Sequence, residues 1–371
     1  MTGRPSIDAV ALLASWRRAG LVTAEETPGL ASALHAAALD PDPPIYLKIL
    51  AAVGTALATV FFLGFLFLAD LISLRSGPGL VAWGTVFLVS GIAMSMALGR
   101  SAPGLGRDFF AQAGFAALAV GKVLVLAGAI QIWGEHTPWI PTIALAIVTV
   151  ATYPVSGSSL DRVLSPYAVA ASALMELLGR GNFGAGASVG LAVFHAAATA
   201  VAGGLLLSHR VPQVLRPIGL AALGAMGTVV CIVASGHSFG FWASRAPLDM
   251  RPVEAMLVLS LIGAIAWAAG GFDRLAREPL AMATIGVVAL GFAGAPGILF
   301  ALLLLTVGHA LHDTPMRVVG ILALPAFLVL WYYGKDMTFL VKSATLVGSG
   351  ALLLAARGFM HLRGWDREDT P

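Results

Sequence analysis

The chain predicts an all-α fold, a polytopic bundle of about twelve transmembrane helices with both termini cytoplasmic and a short helical hairpin ahead of the first span. Three observations predict it. With 58% hydrophobic and 11% charged residues and a mean hydropathy of +0.89, the chain has too few polar side chains to cover a soluble globule, which usually carries about 25% charge. Apolar runs long enough to cross a bilayer recur along it, divided by short turns bearing Arg, Gly and Pro. The basic residues alternate between turns in the way that orients membrane helices.

Residues 1–44 read as a cytoplasmic hairpin, not a signal peptide, because no apolar run of the right length follows Trp16-Arg17-Arg18. Ser6 can cap a first helix with Ile7, Val10 and Leu13 on one face. Thr23 and Glu26 have capping-box spacing for a second, and Asp40-Pro-Asp-Pro-Pro44 breaks it. The bundle then occupies 45–357, ahead of a cytoplasmic tail at 358–371. Its runs fall near 49–73, 79–98, 109–132, 139–156, 163–179 and 187–208, then 215–235, 252–272, 279–293, 295–312, 315–333 and 337–356. The fifth and ninth are short. The ninth and tenth are kept apart because one helix from Leu280 to His312 would be about 50 Å long and Gly294-Ala-Pro-Gly297 interrupts it.

With the N-terminus inside, fifteen of the 22 basic residues fall on the cytoplasmic side. Five fall outside, namely Arg75, Arg180, Arg245, Arg251 and Lys335, while Lys122 and Lys342 lie within spans. The pI near 9.2 and net charge of +3 therefore reflect orientation, because the cations are scattered singly instead of forming the patch that nucleic acid requires. The single cysteine, Cys231, excludes an intrachain disulfide and reads as a small packed side chain.

Lys122 is the chief candidate. It lies near the middle of Phe109 to Ile132, about 15–20 Å from either end and beyond a snorkelling side chain's reach. A cation at that depth needs a partner or a watery cavity. In the same topology Asp70, Glu176 and Glu254 come near the outer interface and Lys342 lies just inside it, which suggests an outward-facing polar vestibule with Lys122 at its base. Acids at helix ends are also simply wet, and Glu254 near a helix start suits the macrodipole. The plain reading of Lys122 is a structural ion pair, and that of the mid-span His195 is a hydrogen-bonded packing residue.

The remaining motifs are weak. Gly236-His-Ser-Phe-Gly240 has the spacing of a hydrolase nucleophile elbow, but a helix precedes Ser238 where that turn needs a strand. His309, His312 and Asp313 share a helix face, yet no fourth metal ligand stands nearby. The glycine run at 181–186 lacks the Gly-Lys-Ser/Thr ending of a phosphate loop. We therefore expect no enzyme, no metal and no cofactor. The 43 glycines suit close helix packing, as at Gly186 and Gly190.

The segment Ala295-Pro-Gly-Ile298, Trp331-Tyr332-Tyr333, Thr338, Lys342-Ser343, Gly350 and Arg357 resembles the DUF4401 family of bacterial multipass membrane proteins. The stretch around Trp16-Arg-Arg-Ala-Gly-Leu-Val is similar to the start of the related DUF2157 proteins. The resemblance implies the bacterial inner membrane, gives weight to Tyr332, Tyr333 and Lys342, and suggests as partner a small envelope protein with a Gly-Asp-Tyr-x-x-Leu-x-Tyr motif. It carries no activity or ligand. Two functions compete on these residues, and the depth of Lys122 puts a small-solute or ion transporter with an outward-facing vestibule first and a scaffold second. A small-solute or ion transporter is favoured if Lys122 lines a wet cavity with Glu176, Glu254 or Asp70, and breaks at Pro296-Gly297 and Pro325 fit it. A non-enzymatic scaffold or sensor subunit is favoured if Lys122 is sealed in an ion pair.

Overall fold

The computed structural model describes residues 45–70, 75–98, 105–134, 139–179, 185–208, 211–236, 251–273 and 278–334, with scattered positions elsewhere. The predicted hairpin, twelfth span and tail fall almost wholly outside these residues, as do Lys342 and Ser238. Among the described residues every regular element is helical: α1 (Ile45–Leu68), α2 (Gly77–Leu98), α3 (Leu105–Trp133), α4 (Ile140–Thr152), α5 (Ser159–Gly179), α6 (Ala185–Leu206), α7 (Arg216–Gly236), α8 (Arg251–Ala268), α9 (Glu278–Phe292), α10 (Pro296–Ala310) and α11 (Thr314–Gly334). They match the first eleven apolar runs. Six, namely α2, α3, α6, α7, α8 and α11, are long and apolar enough to cross a membrane by length and composition, while α1, α4, α9 and α10 contribute shorter apolar stretches. Large side chains such as Phe61 (74% exposed) and Phe292 (90% exposed) point outward, as a lipid-facing surface requires.

Two boundaries, those of α4 and α5, differ from expectation, and a third agrees with it. Helix α4 has only 13 residues where the apolar run extends to 156. Pro154 lacks an N–H to continue the ladder, so the helix ends at Thr152, and Ser156 to Ser158 follow in the connection to α5. Helix α5, expected to be short, has 21 residues and starts at Ser159, four residues before the predicted span. The ninth and tenth runs are separate helices: Gly294 adopts φ 63°, a conformation open to glycine, and Pro296 starts α10.

The contacts divide the chain into two compact units, Met1–Val169 and Ala170–Pro371, with the boundary inside α5. In the first unit α3 packs against α1, α2 and α4. Its densest contact, with α2, is a glycine seam. Gly77, Gly84 and Gly91 recur every seven residues on α2 and Gly114, Gly121 and Gly128 every seven on α3, paired in antiparallel order. A Cβ on Gly84 would come 2.9 Å from the Gly121 carbonyl oxygen, one on Gly121 2.8 Å from that of Gly84, and one on Gly128 2.7 Å from that of Gly77. Backbone therefore meets backbone, which no larger residue permits. A seven-residue repeat keeps such a seam aligned along two helices of left-handed crossing. Where lipid supplies no hydrophobic drive between helices, this intimate packing holds them together.

The second unit is built around α10, which is buried on most sides by Leu299, Phe300, Ala301, Leu303, Leu304 and Val307. A helix apolar all round belongs at the centre of a bundle. It packs against α7, α8, α9 and α11, while α6 packs on α7 and α8. Cys231 is exposed on α7 and not packed as expected, because Met226, Val229 and Val230 already form that helix's buried face.

Candidate functional site

Helix α3 carries Lys122 one residue after Gly121, so the glycine seam fixes the helix from which it projects. Lys122 stands eleven residues before Trp133, about 16 Å along the axis. Helix α4 returns along α3 from Ile140, and its 13 residues span about 20 Å. Its last turn, with buried Thr149 and Thr152, thus ends at the level of Lys122, and buried Ser156 lies in the turn that follows. The chain then turns into α5, whose first turn carries Asp161.

Here the lysine meets its partners. Lys122 Nζ lies 2.6 Å from Asp161 Oδ1 and donates to Ser165 Oγ at 2.5 Å. Ser165 Oγ in turn donates to the same carboxylate oxygen at 2.8 Å. Asp161 and Ser165 are one helical turn apart, so both face the ammonium. The side chains of Lys122 and Asp161 are only 7% and 3% exposed. A charge buried this deeply is tolerated only when paired and hydrogen-bonded, and the closed triad of ammonium, carboxylate and hydroxyl supplies both. The α5 N-terminus adds dipole density favourable to the carboxylate. Arg162, on the neighbouring face, donates from Nε to the Ser156 carbonyl at 3.0 Å and so ties the turn to the helix start.

Asp161 and Ser165 were not among the sequence candidates. The charged pair Asp161-Arg162 reads as a loop when a span is drawn from 163, and the i, i+4 spacing of Asp161 and Ser165 was the available signal. The other described candidates are placed as follows, each within its own unit. Asp70, in the same unit, is exposed beyond the end of α1 with φ 57°. In the second unit Glu176 is half-buried on α5 and Glu254 half-buried in the first turn of α8. Tyr332 and Tyr333 end α11 with their rings edge to face, centroids 5.3 Å apart, and Tyr333 is 73% exposed.

His195 on α6 is fully buried, as a packing residue should be, but neither ring nitrogen has a hydrogen-bond partner among the described residues. Asp313 acts as a cap: its Oδ1 accepts the Met316 N–H at 3.1 Å at the start of α11, beside exposed His309 and His312. Asp313→Ala is expected to lower thermal stability in detergent by about 1 kcal/mol, with Asp313→Asn near wild type. Equal loss in both variants would show that the carboxylate does more than cap.

A helical bundle with such exposed apolar faces is a multipass membrane protein. A family model, Domain of unknown function (DUF4401), matches residues 44–363, and the chain belongs to that family. No curated protein and no solved structure matches the chain.

Proposed function

We propose that the chain is a non-enzymatic scaffold subunit of the bacterial inner membrane, with both termini cytoplasmic, that docks a small envelope protein through its outer loops. One observation carries this reading. The cation that would have served a solute pathway is bound to Asp161 and Ser165 within one unit, nearly inaccessible. It is a staple between α3 and α5. Short connections between helices and the absence of a convincing nucleophile in the sequence agree with a role in holding partners.

Transport is the second reading, and the half-length α4 favours it. A helix that stops beside a charged pair resembles the discontinuous helices of carriers, whose ends form the substrate and ion site. The combined substitution Lys122→Met with Asp161→Leu separates the two. A scaffold should keep its abundance, its thermal stability and its ability to complement a deletion strain, because an apolar pair of similar volume replaces a buried ion pair at little cost. Normal abundance and stability with lost complementation would overturn the scaffold reading. The docking part is tested by co-purification. Replacing the outer loop around Arg245 to Arg251 should release the envelope partner, and an intact complex would refute that surface.

A further inference from the structure

The second unit contains a cavity of about 420 Å³ between α6, α7, α8 and α10. Its walls are almost wholly apolar, and the two hydroxyls among its lining residues are already engaged. Thr199 Oγ1 and Ser260 Oγ lie 3.1 Å apart, and Ser260 Oγ also donates to the Met256 carbonyl at 2.6 Å. Water needs two to four polar partners to occupy a site, and this cavity offers few. The space is real on both sides, since a Cβ on Gly203 of α6 or on Gly263 of α8 would meet nothing within 4 Å.

Gly263 also lines a second cavity, of about 800 Å³, that runs over the ends of α8 and α10 past Trp267, Phe272, His309 and His312. The two spaces therefore meet at one glycine, apolar at one end and carrying imidazoles and an indole at the other. From Ser260 to Ala268 the lining follows α8 for eight residues, about 12 Å, and continues into the turn at Gly270 and Gly271. That gradient is the profile of an amphiphile. The helices around it are apolar spans, so the medium at its opening is lipid.

We infer that this paired cavity holds one phospholipid molecule, with an acyl chain between α6 and α8 beside Thr199 and Ser260 and the phosphate at the His309–His312 mouth. Imidazole N–H groups and Trp267 are suited to the headgroup end, where indoles gather at membrane interfaces. Small residues on the α6 and α8 walls leave room for methylenes where larger ones would close the site.

Native mass spectrometry of the full chain, delipidated in detergent and titrated with phosphatidylglycerol, phosphatidylethanolamine or diacylglycerol, tests this. One adduct should form with each phospholipid at concentrations at least tenfold below those giving further adducts. Gly263→Leu and Gly203→Leu, made separately on opposite walls, should each weaken that first adduct at least tenfold with size-exclusion profile and helicity unchanged. His309→Ala with His312→Ala should erase the preference for phospholipid over diacylglycerol and leave the chain-dependent binding in place. A statistical ladder of adducts in the wild-type protein, without a distinct first one, would overturn the proposal without recourse to any variant. So would a first adduct that survives both leucines.

Discussion

Asp161→Ala is expected to be the most damaging single change in the first unit. It leaves an ammonium at mid-depth with one hydroxyl for a partner, and stripping one member from a buried pair costs about 3–5 kcal/mol. The reading is a lowered midpoint in a thermal scan of the detergent-solubilised protein, accompanied by reduced abundance in the membrane. Lys122→Met should cost less, because a carboxylate at a helix N-terminus keeps the Ser165 hydroxyl and the local dipole. The order of the two losses is therefore diagnostic. Equal, small effects would mean that water reaches the pair and that the side chains are not sealed as the geometry has them.

Gly121→Leu should come next, and Gly84→Leu should match it. In each case the first added carbon already lies under 3 Å from backbone atoms of the facing helix, which cannot rotate away as a side chain would. Overpacking usually costs about 1–3 kcal/mol, and here the upper end is expected because α2 and α3 must separate along their length. Loss of a monodisperse size-exclusion peak would record it. Gly54→Ala and Gly64→Ala in α1 are the controls, since added carbons there meet nothing within 4 Å. Those should be neutral or stabilising by up to about 1 kcal/mol through helix propensity. If all four behaved alike, the seam would have no special part in assembly.

Much of this architecture was legible from hydropathy alone, because in a bilayer each span must satisfy its own backbone and so announces itself as an apolar run. The separation of α9 from α10 was readable for the same local reason, in Gly294 and Pro296. Partners were not. Nothing in the run around Lys122 points to a carboxylate 39 residues away, and a boundary drawn at 163 discarded Asp161 as a loop charge. The length of α4 was hidden because the apolar run was drawn to 156, through Tyr153, Pro154 and Val155, without ending the helix ahead of the proline. The seven-residue recurrence of glycine on α2 and α3 was visible in principle, but its meaning needed the two helices brought face to face in opposite directions.

The span between Lys122 and Asp161 also sets a timetable for biogenesis. A ribosome adds about 5–20 residues per second, so the carboxylate follows the ammonium by about 2–8 seconds. During that interval α2 and α3 can already close on each other through their glycines, while the lysine waits in the translocon or a water defect for its counterion. Final integration of the first unit is then governed by the arrival of α5, and a ribosome stalled between residues 133 and 159 would leave a hairpin with a charge it cannot yet bury.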